Sequence, residues 1–175
     1  GRSMSFSQID IRWFWIAPEA VLAVAGMAAL IAAALRTPWS RTPFGKSASD
    51  GGLRLGAAEW ISILGLAAAA VLAGAVGWAA RGEMPGRMIH FWGGMTHDPF
   101  SAYFKVVVAI STLLVMAMTA GYRRPFHNRP ELYALLTLAT LAIFFMASAS
   151  ELVLIFLAVE FLSLTSYVLV GYLKN

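Results

Sequence analysis

The sequence predicts an all-α, polytopic membrane protein with five transmembrane helices and its N-terminus outside. Three observations predict it. First, 59% of the 175 residues are hydrophobic and 13% charged, against about 45–50% and about 25% in soluble domains; mean hydropathy is +0.72. Second, the apolar residues gather into five long stretches, near the roughly 20 residues that carry a helix across a ~30 Å hydrocarbon core. Third, the basic residues are shared unequally between alternate loops. So apolar a chain cannot hide itself in one small soluble core. Disorder is excluded by the same excess. The absence of Cys excludes a disulfide scaffold, thiol catalysis and iron–sulfur ligation in this chain.

Residues 1–15 are an N-terminal segment, and Gly1-Arg2-Ser3 before Met4 reads as a cloning scar. The first span, about 16–35, has too long an apolar run for a secretory signal, and Pro18 and Glu19 sit badly at the start of one. The second covers about 57–80. It places Gly65, Ala69, Ala73 and Gly77 at four-residue intervals, a stripe that lets a neighbouring helix approach closely. The third covers about 99–120. The fourth and fifth, about 131–147 and 152–173, are separated only by a short turn and form a helical hairpin. Ser148 and Glu151 within that turn have capping-box spacing.

Eight basic residues fall after spans one, three and five, and four on the opposite side. The positive-inside rule therefore puts Asn175 in the cytoplasm. Rings near the predicted borders, among them Trp15, Trp60, Trp78 and Tyr172, suit the headgroup level. The first loop, Pro-, Ser- and Gly-rich, reads as a flexible excursion without chemistry of its own. The loop 81–98 reads as partly amphipathic. The basic excess reports topology and lipid contact, not nucleic acid.

Most acids lie at span ends or in loops. Glu131 and Glu151 are placed in first helical turns, favoured by the helix dipole. Glu19, a few residues into span one, is expected to reach the interface. Glu160 differs. It follows Leu152 by eight residues, hence ~12 Å into the core, where an acid costs about 2.5–3.5 kcal/mol on an insertion scale. Ser163 and Tyr167 share its helix face, so the stripe is expected to face protein or water, with Glu160 handling a proton. The alternative is a neutral carboxyl that only donates a hydrogen bond between helices. Lys105, about six residues into span three, reads as snorkelling to the interface, with a partner or relay role as the other possibility. His90, His97 and His127 match no metal-ligand spacing and read as solvated loop residues. No nucleotide-binding or hydrolase motif is present, so no cofactor or metal is expected in this chain.

Once Glu160 is placed, the segment from Glu131 to Asn175 resembles the fourth and fifth helices of the subunit N family of NADH-quinone oxidoreductases, respiratory complex I. LAVEFLSLTSYVLVGYLK carries the specific part: an acid, a Ser-Leu pair, a Tyr and an apolar run. DPFSAYFKVVVAIS is similar to the start of that family's third helix, and APEAVLAVAG to its first. The resemblance implies an antiporter-like fold of about fourteen helices with two inverted five-helix repeats. Residues 16–120 would then be three peripheral helices, and 131–173 the start of the first repeat, cut short. The chain is about a third of the family's usual length and is read as a fragment.

The resemblance also implies that Glu160 is a proton relay paired with a lysine on a later, broken helix. Ser163, Tyr167 and Lys105 are candidates for support. The complex would be a proton-translocating NADH:quinone oxidoreductase of the bacterial inner membrane, with no redox chemistry in this chain. Flavin, iron–sulfur clusters and quinone would belong to other subunits. The neighbours would be the antiporter-like subunit M and the small subunits K and J. Subunits of Na⁺/H⁺ antiporters and of membrane-bound hydrogenases share the helix pattern, and a purely structural subunit is a further reading.

Overall fold

Five helices form where the five apolar stretches lie, and each ends where the sequence turns polar. The computed structural model describes residues 6–36, 57–81, 89–91, 94–121 and 129–172. Helix α1 is Phe6–Arg36, α2 Ala57–Arg81, α3 Pro99–Gly121, α4 Arg129–Ser148 and α5 Leu152–Tyr172. All five are long and apolar enough to cross a membrane. The protein is therefore an all-α polytopic membrane protein, as expected. The first loop, His127 and the terminal residues 1–5 and 173–175 lie outside the described residues.

Helix α1 begins about ten residues before its apolar stretch and runs unbroken through Pro18. Its 31 residues would extend ~46 Å, well beyond a ~30 Å core, so its first turns project past the span that begins at Phe14. Helix α3 opens on Asp98, whose Oδ1 accepts a hydrogen bond from the Ser101 amide at 2.9 Å. Pro99 follows at the first helical position, where its missing N–H costs nothing.

Helix α4 is the centre of the bundle and packs against α1, α2, α3 and α5. Tyr133 and Phe144 of α4 are fully buried, within a core that includes Leu22, Leu66, Ala69, Ala109, Met116 and Leu141. The Tyr133 hydroxyl donates to the Met116 carbonyl of α3 at 2.7 Å. Thr112 and Thr140 bridge the same two helices at 3.0 Å. Hydrogen bonds between membrane helices are worth about 0.6 kcal/mol on average. Thr140→Val is therefore expected to lower stability by only about that amount, read as a small shift in the unfolding midpoint in mixed micelles.

The stripe on α2 is an intrabundle contact, one side of which meets α1 and the other α3. A Cβ at Gly65 would collide with the Cβ of Ala25, and one at Gly77 would lie 2.6 Å from the Cβ of Ala102. Ala69 and Ala73 between them are buried. Helix α5 is the outermost element. It packs on α4; Ala158 and Thr165 are buried and Phe161 is partly buried against the core, while Val153, Phe156, Leu157, Leu164 and Val168 are exposed.

Two expectations are corrected. The segment between α2 and α3 contains an antiparallel hairpin of β1 (Ile89–Phe91) and β2 (Met95–His97). The connection 92–94 includes Gly93-Gly94, a turn signal between two short strand-compatible runs. The capping box does not form: Ser148 is the last residue of α4, and its hydroxyl is committed to Glu19. The α4–α5 turn is tied to the hairpin instead. Met95 bridges Ala149, and the Ser150 amide donates to the Gly94 carbonyl at 2.9 Å.

Candidate functional site

Two groups of ionisable residues stand out, and they lie on different elements. Glu160 sits near the middle of α5. The face of α5 that packs on α4 carries Ala158, Phe161 and Thr165; Glu160 lies roughly opposite, because it is turned about 200° from Ala158 at 100° per residue. It is exposed, as is Tyr167, and Ser163 is half-buried. This stripe, expected to face protein or water, is left uncovered by the described residues. No described residue brings a cation to Glu160.

The second group was missed as a group. Lys105 does not snorkel. It is 2% exposed and forms an ion pair with Glu19, also 2% exposed. The Lys105 ammonium donates to Glu19 Oε1, and the Ser148 hydroxyl donates to the same oxygen at 3.3 Å. Lys105 Nζ also lies 6.0 Å from the centre of the Phe144 ring, within range of cation–π attraction. Three helices thus meet at one polar point. On the observed spans Glu19 lies five residues after Phe14 and Lys105 six after Pro99, on the same side and at matching depth; a first span begun at residue 16 leaves Glu19 only three residues in, which obscures the match. Treating each residue alone hid the pair. Glu59, expected in a loop or at a border, is buried in the first turn of α2.

His97 is likewise not solvated. It is 3% exposed on β2, and its ring centre lies 6.1 Å from that of Trp15. Burial first, and then the Lys105 charge, push the imidazole down to about 4, while Asp98 pulls the other way. His97 is therefore neutral at physiological pH. Both ring nitrogens lack a hydrogen-bond partner among the described residues, as do Trp15 Nε1 and Glu19 Oε2. His90 is on β1, but its side chain lies outside the described residues. No cluster of three potential metal ligands occurs among the described residues.

The Glu19–Lys105 pair is thus a buried ion pair with one carboxylate oxygen, Oε2, unpartnered among the described residues, whereas Glu160 is an exposed acid near the middle of α5. The first joins α1, α3 and α4; the second lies on a face that no described element covers.

No family model matches the chain. It is similar to NADH-quinone oxidoreductase subunit N 2 of Koribacter versatilis, 34% identical over 174 residues, covering 95% of this chain and 32% of that protein. It is 30% identical to NADH-quinone oxidoreductase subunit N of Trichlorobacter lovleyi over 161 residues, 91% of this chain and 29% of that protein. Against NAD(P)H-quinone oxidoreductase subunit 2 of Trichormus variabilis it is 36% identical over 120 residues, 67% of this chain and 22% of the relative. The chain thus spans a third or less of the length of the curated relatives it matches.

Proposed function

We propose, from the premise that this chain is related to the subunit N and subunit 2 proteins of quinone oxidoreductases over nearly its whole length, that it is part of an antiporter-like membrane subunit of respiratory complex I. In that role Glu160 is a proton relay. One observation carries the assignment: an acid in the middle of a membrane span, on a face that no described element covers. Charge at that depth is expensive, and such residues face protein or water pathways in membrane proteins. The relatives are about three times longer, so the cation that sets the protonation of Glu160 would come from a segment with no counterpart here. Ser163 at i+3 and Tyr167 at i+7 supply hydroxyls along the same face.

The complex would couple reduction of quinone in other subunits, which hold the flavin and iron–sulfur clusters, to proton movement past Glu160. Its neighbours would be subunit M and the small subunits K and J, in the bacterial inner membrane. The positive-inside rule places the β-hairpin end outside.

Glu160→Gln in the full-length subunit of the assembled complex is the test. Glutamine keeps the size and the hydrogen-bonding capacity but cannot carry the proton. Proton pumping in sealed vesicles is expected to fall to a small fraction of normal, with the complex still assembled and Glu160→Asp keeping part of the activity. Unchanged pumping per electron in Glu160→Gln would sink the relay.

A further inference from the structure

We propose that Trp15, Glu19, His97 and Lys105 build a buried water-binding site at the hairpin end of the bundle, whose water joins the Glu19–Lys105 ion pair to the aqueous face on that side. The proposal is independent of any role for Glu160.

Four polar atoms carry it. Trp15 Nε1, Glu19 Oε2 and both ring nitrogens of His97 have no hydrogen-bond partner among the described residues, and their residues are 4%, 2% and 3% exposed. Buried polar atoms in native proteins are almost always paired with protein or with ordered water. Each left bare costs about 1–3 kcal/mol. These four are gathered in one place. Trp15 and Glu19 are one helical turn apart on α1, and so share a face. The indole lies beside the His97 imidazole, tilted by 39° with ring centres 6.1 Å apart. Lys105, which acts on His97 electrostatically, is paired with the other oxygen of Glu19.

The mixture of donors and acceptors selects the ligand. The indole N–H can only donate, the free carboxylate oxygen can only accept, and a neutral imidazole does one of each. Water matches that set, since it donates twice and accepts twice, and buried water typically makes about three such bonds. A metal cation would meet the Lys105 ammonium and has too few ligands among the described residues. An anion would meet the Glu19 carboxylate. Trp15 and Glu19 come to the site from α1, Lys105 from α3 and Ser148 from α4, with Asp98 following His97 in the chain; α2 and β1 also pack against β2. Burial, and then the Lys105 charge, keep His97 neutral, which preserves its ability to accept one hydrogen bond and donate another. The hairpin lies beyond the end of the α3 span at Pro99, so His97 stands outside the spans, at the outer end of the site.

The test is a density map of the full-length protein in its assembled complex, at a resolution that shows ordered water, with hydrogen–deuterium exchange of the Trp15 indole. The exchange is read by resonance Raman, and its band is assigned by difference from Trp15→Phe. Water density within hydrogen-bonding distance of Glu19 Oε2 and of Trp15 Nε1 or His97 is expected. In His97→Phe, which fills the ring volume without its nitrogens, loss of that density and slowed indole exchange are expected. His97→Gln, with a donor and an acceptor, should keep both. A protein side chain already occupying these atoms, a dry site, or an unchanged map and exchange rate in His97→Phe would each overturn the proposal. Equal loss in His97→Gln and His97→Phe would overturn it too, because it would mean that packing and not water sets the signal.

Discussion

Lys105→Met is expected to destabilise the helix bundle by about 3–5 kcal/mol, the usual result of removing one partner from a buried ion pair. Methionine fills much the same volume, so packing against Phe144 largely survives and the loss is electrostatic. Glu19 Oε1 keeps the Ser148 hydroxyl but loses its only cationic partner among the described residues. Its carboxylate is then stranded at 2% exposure. The companion variant Lys105→Met with Glu19→Gln removes both charges and should recover most of the stability, since replacing a buried pair by neutral groups is often nearly neutral. The measurement is a double-mutant cycle on unfolding in mixed micelles. Simple additivity of the two single changes would show that the pair contributes nothing as a pair.

Gly65→Leu is the second large effect. The Cβ alone would overlap the Cβ of Ala25, which is fixed to the α1 backbone and cannot swing aside. Helices α1 and α2 must therefore separate, and the tight contact along Ala69 and Ala73 is lost with them. Overpacking typically costs about 1–3 kcal/mol, and here the displaced element is a whole helix, so the upper end or loss of the folded bundle is expected. The other glycines grade the result. At Gly26 the intruding Cβ meets the flexible end of Leu138, 2.8 Å away, so Gly26→Ala should be milder. At Gly171 there is nothing within 4 Å, and Gly171→Ala should be neutral or gain up to about 1 kcal/mol from helix propensity. Thermal midpoints of the three variants in detergent check the order; Gly171→Ala proving the most damaging would refute it.

These two sites show what a linear sequence conveys and what it hides. The helices and the small-residue stripe are local: twenty apolar residues or a four-residue interval can be counted, and the structure holds them where the counting put them. Glu19 and Lys105 are 86 positions apart. Each taken singly has an inexpensive escape, to the interface for Glu19 and by snorkelling for Lys105. Only the comparison of their depths, measured from span ends on the same side, would have joined them. His97 was hidden for another reason. A His-Asp-Pro sequence before a helix reads as a loop, and a three-residue strand has too short a period to announce itself. Gly93-Gly94 was the available signal. The depth of Glu160 within α5 was legible because an acid eight residues inside an unbroken apolar run has no local escape. What covers it was not, because that depends on neighbours that a single helix does not encode.

The order in which the helices would enter a membrane follows from the central place of α4. It is the most sheltered of the five spans and the least apolar, whereas the outermost, α5, is the most apolar and the least sheltered. A nascent α5 can partition from the translocon into lipid on its own merits. A nascent α4, with its buried threonines Thr137 and Thr140, gains from finding α1–α3 already beside it. Chain order delivers it after α1, α2 and α3, when the cleft those three helices form is ready to receive it. Moving its coding segment ahead of α1 would ask the least lipid-compatible helix to wait alone in the bilayer.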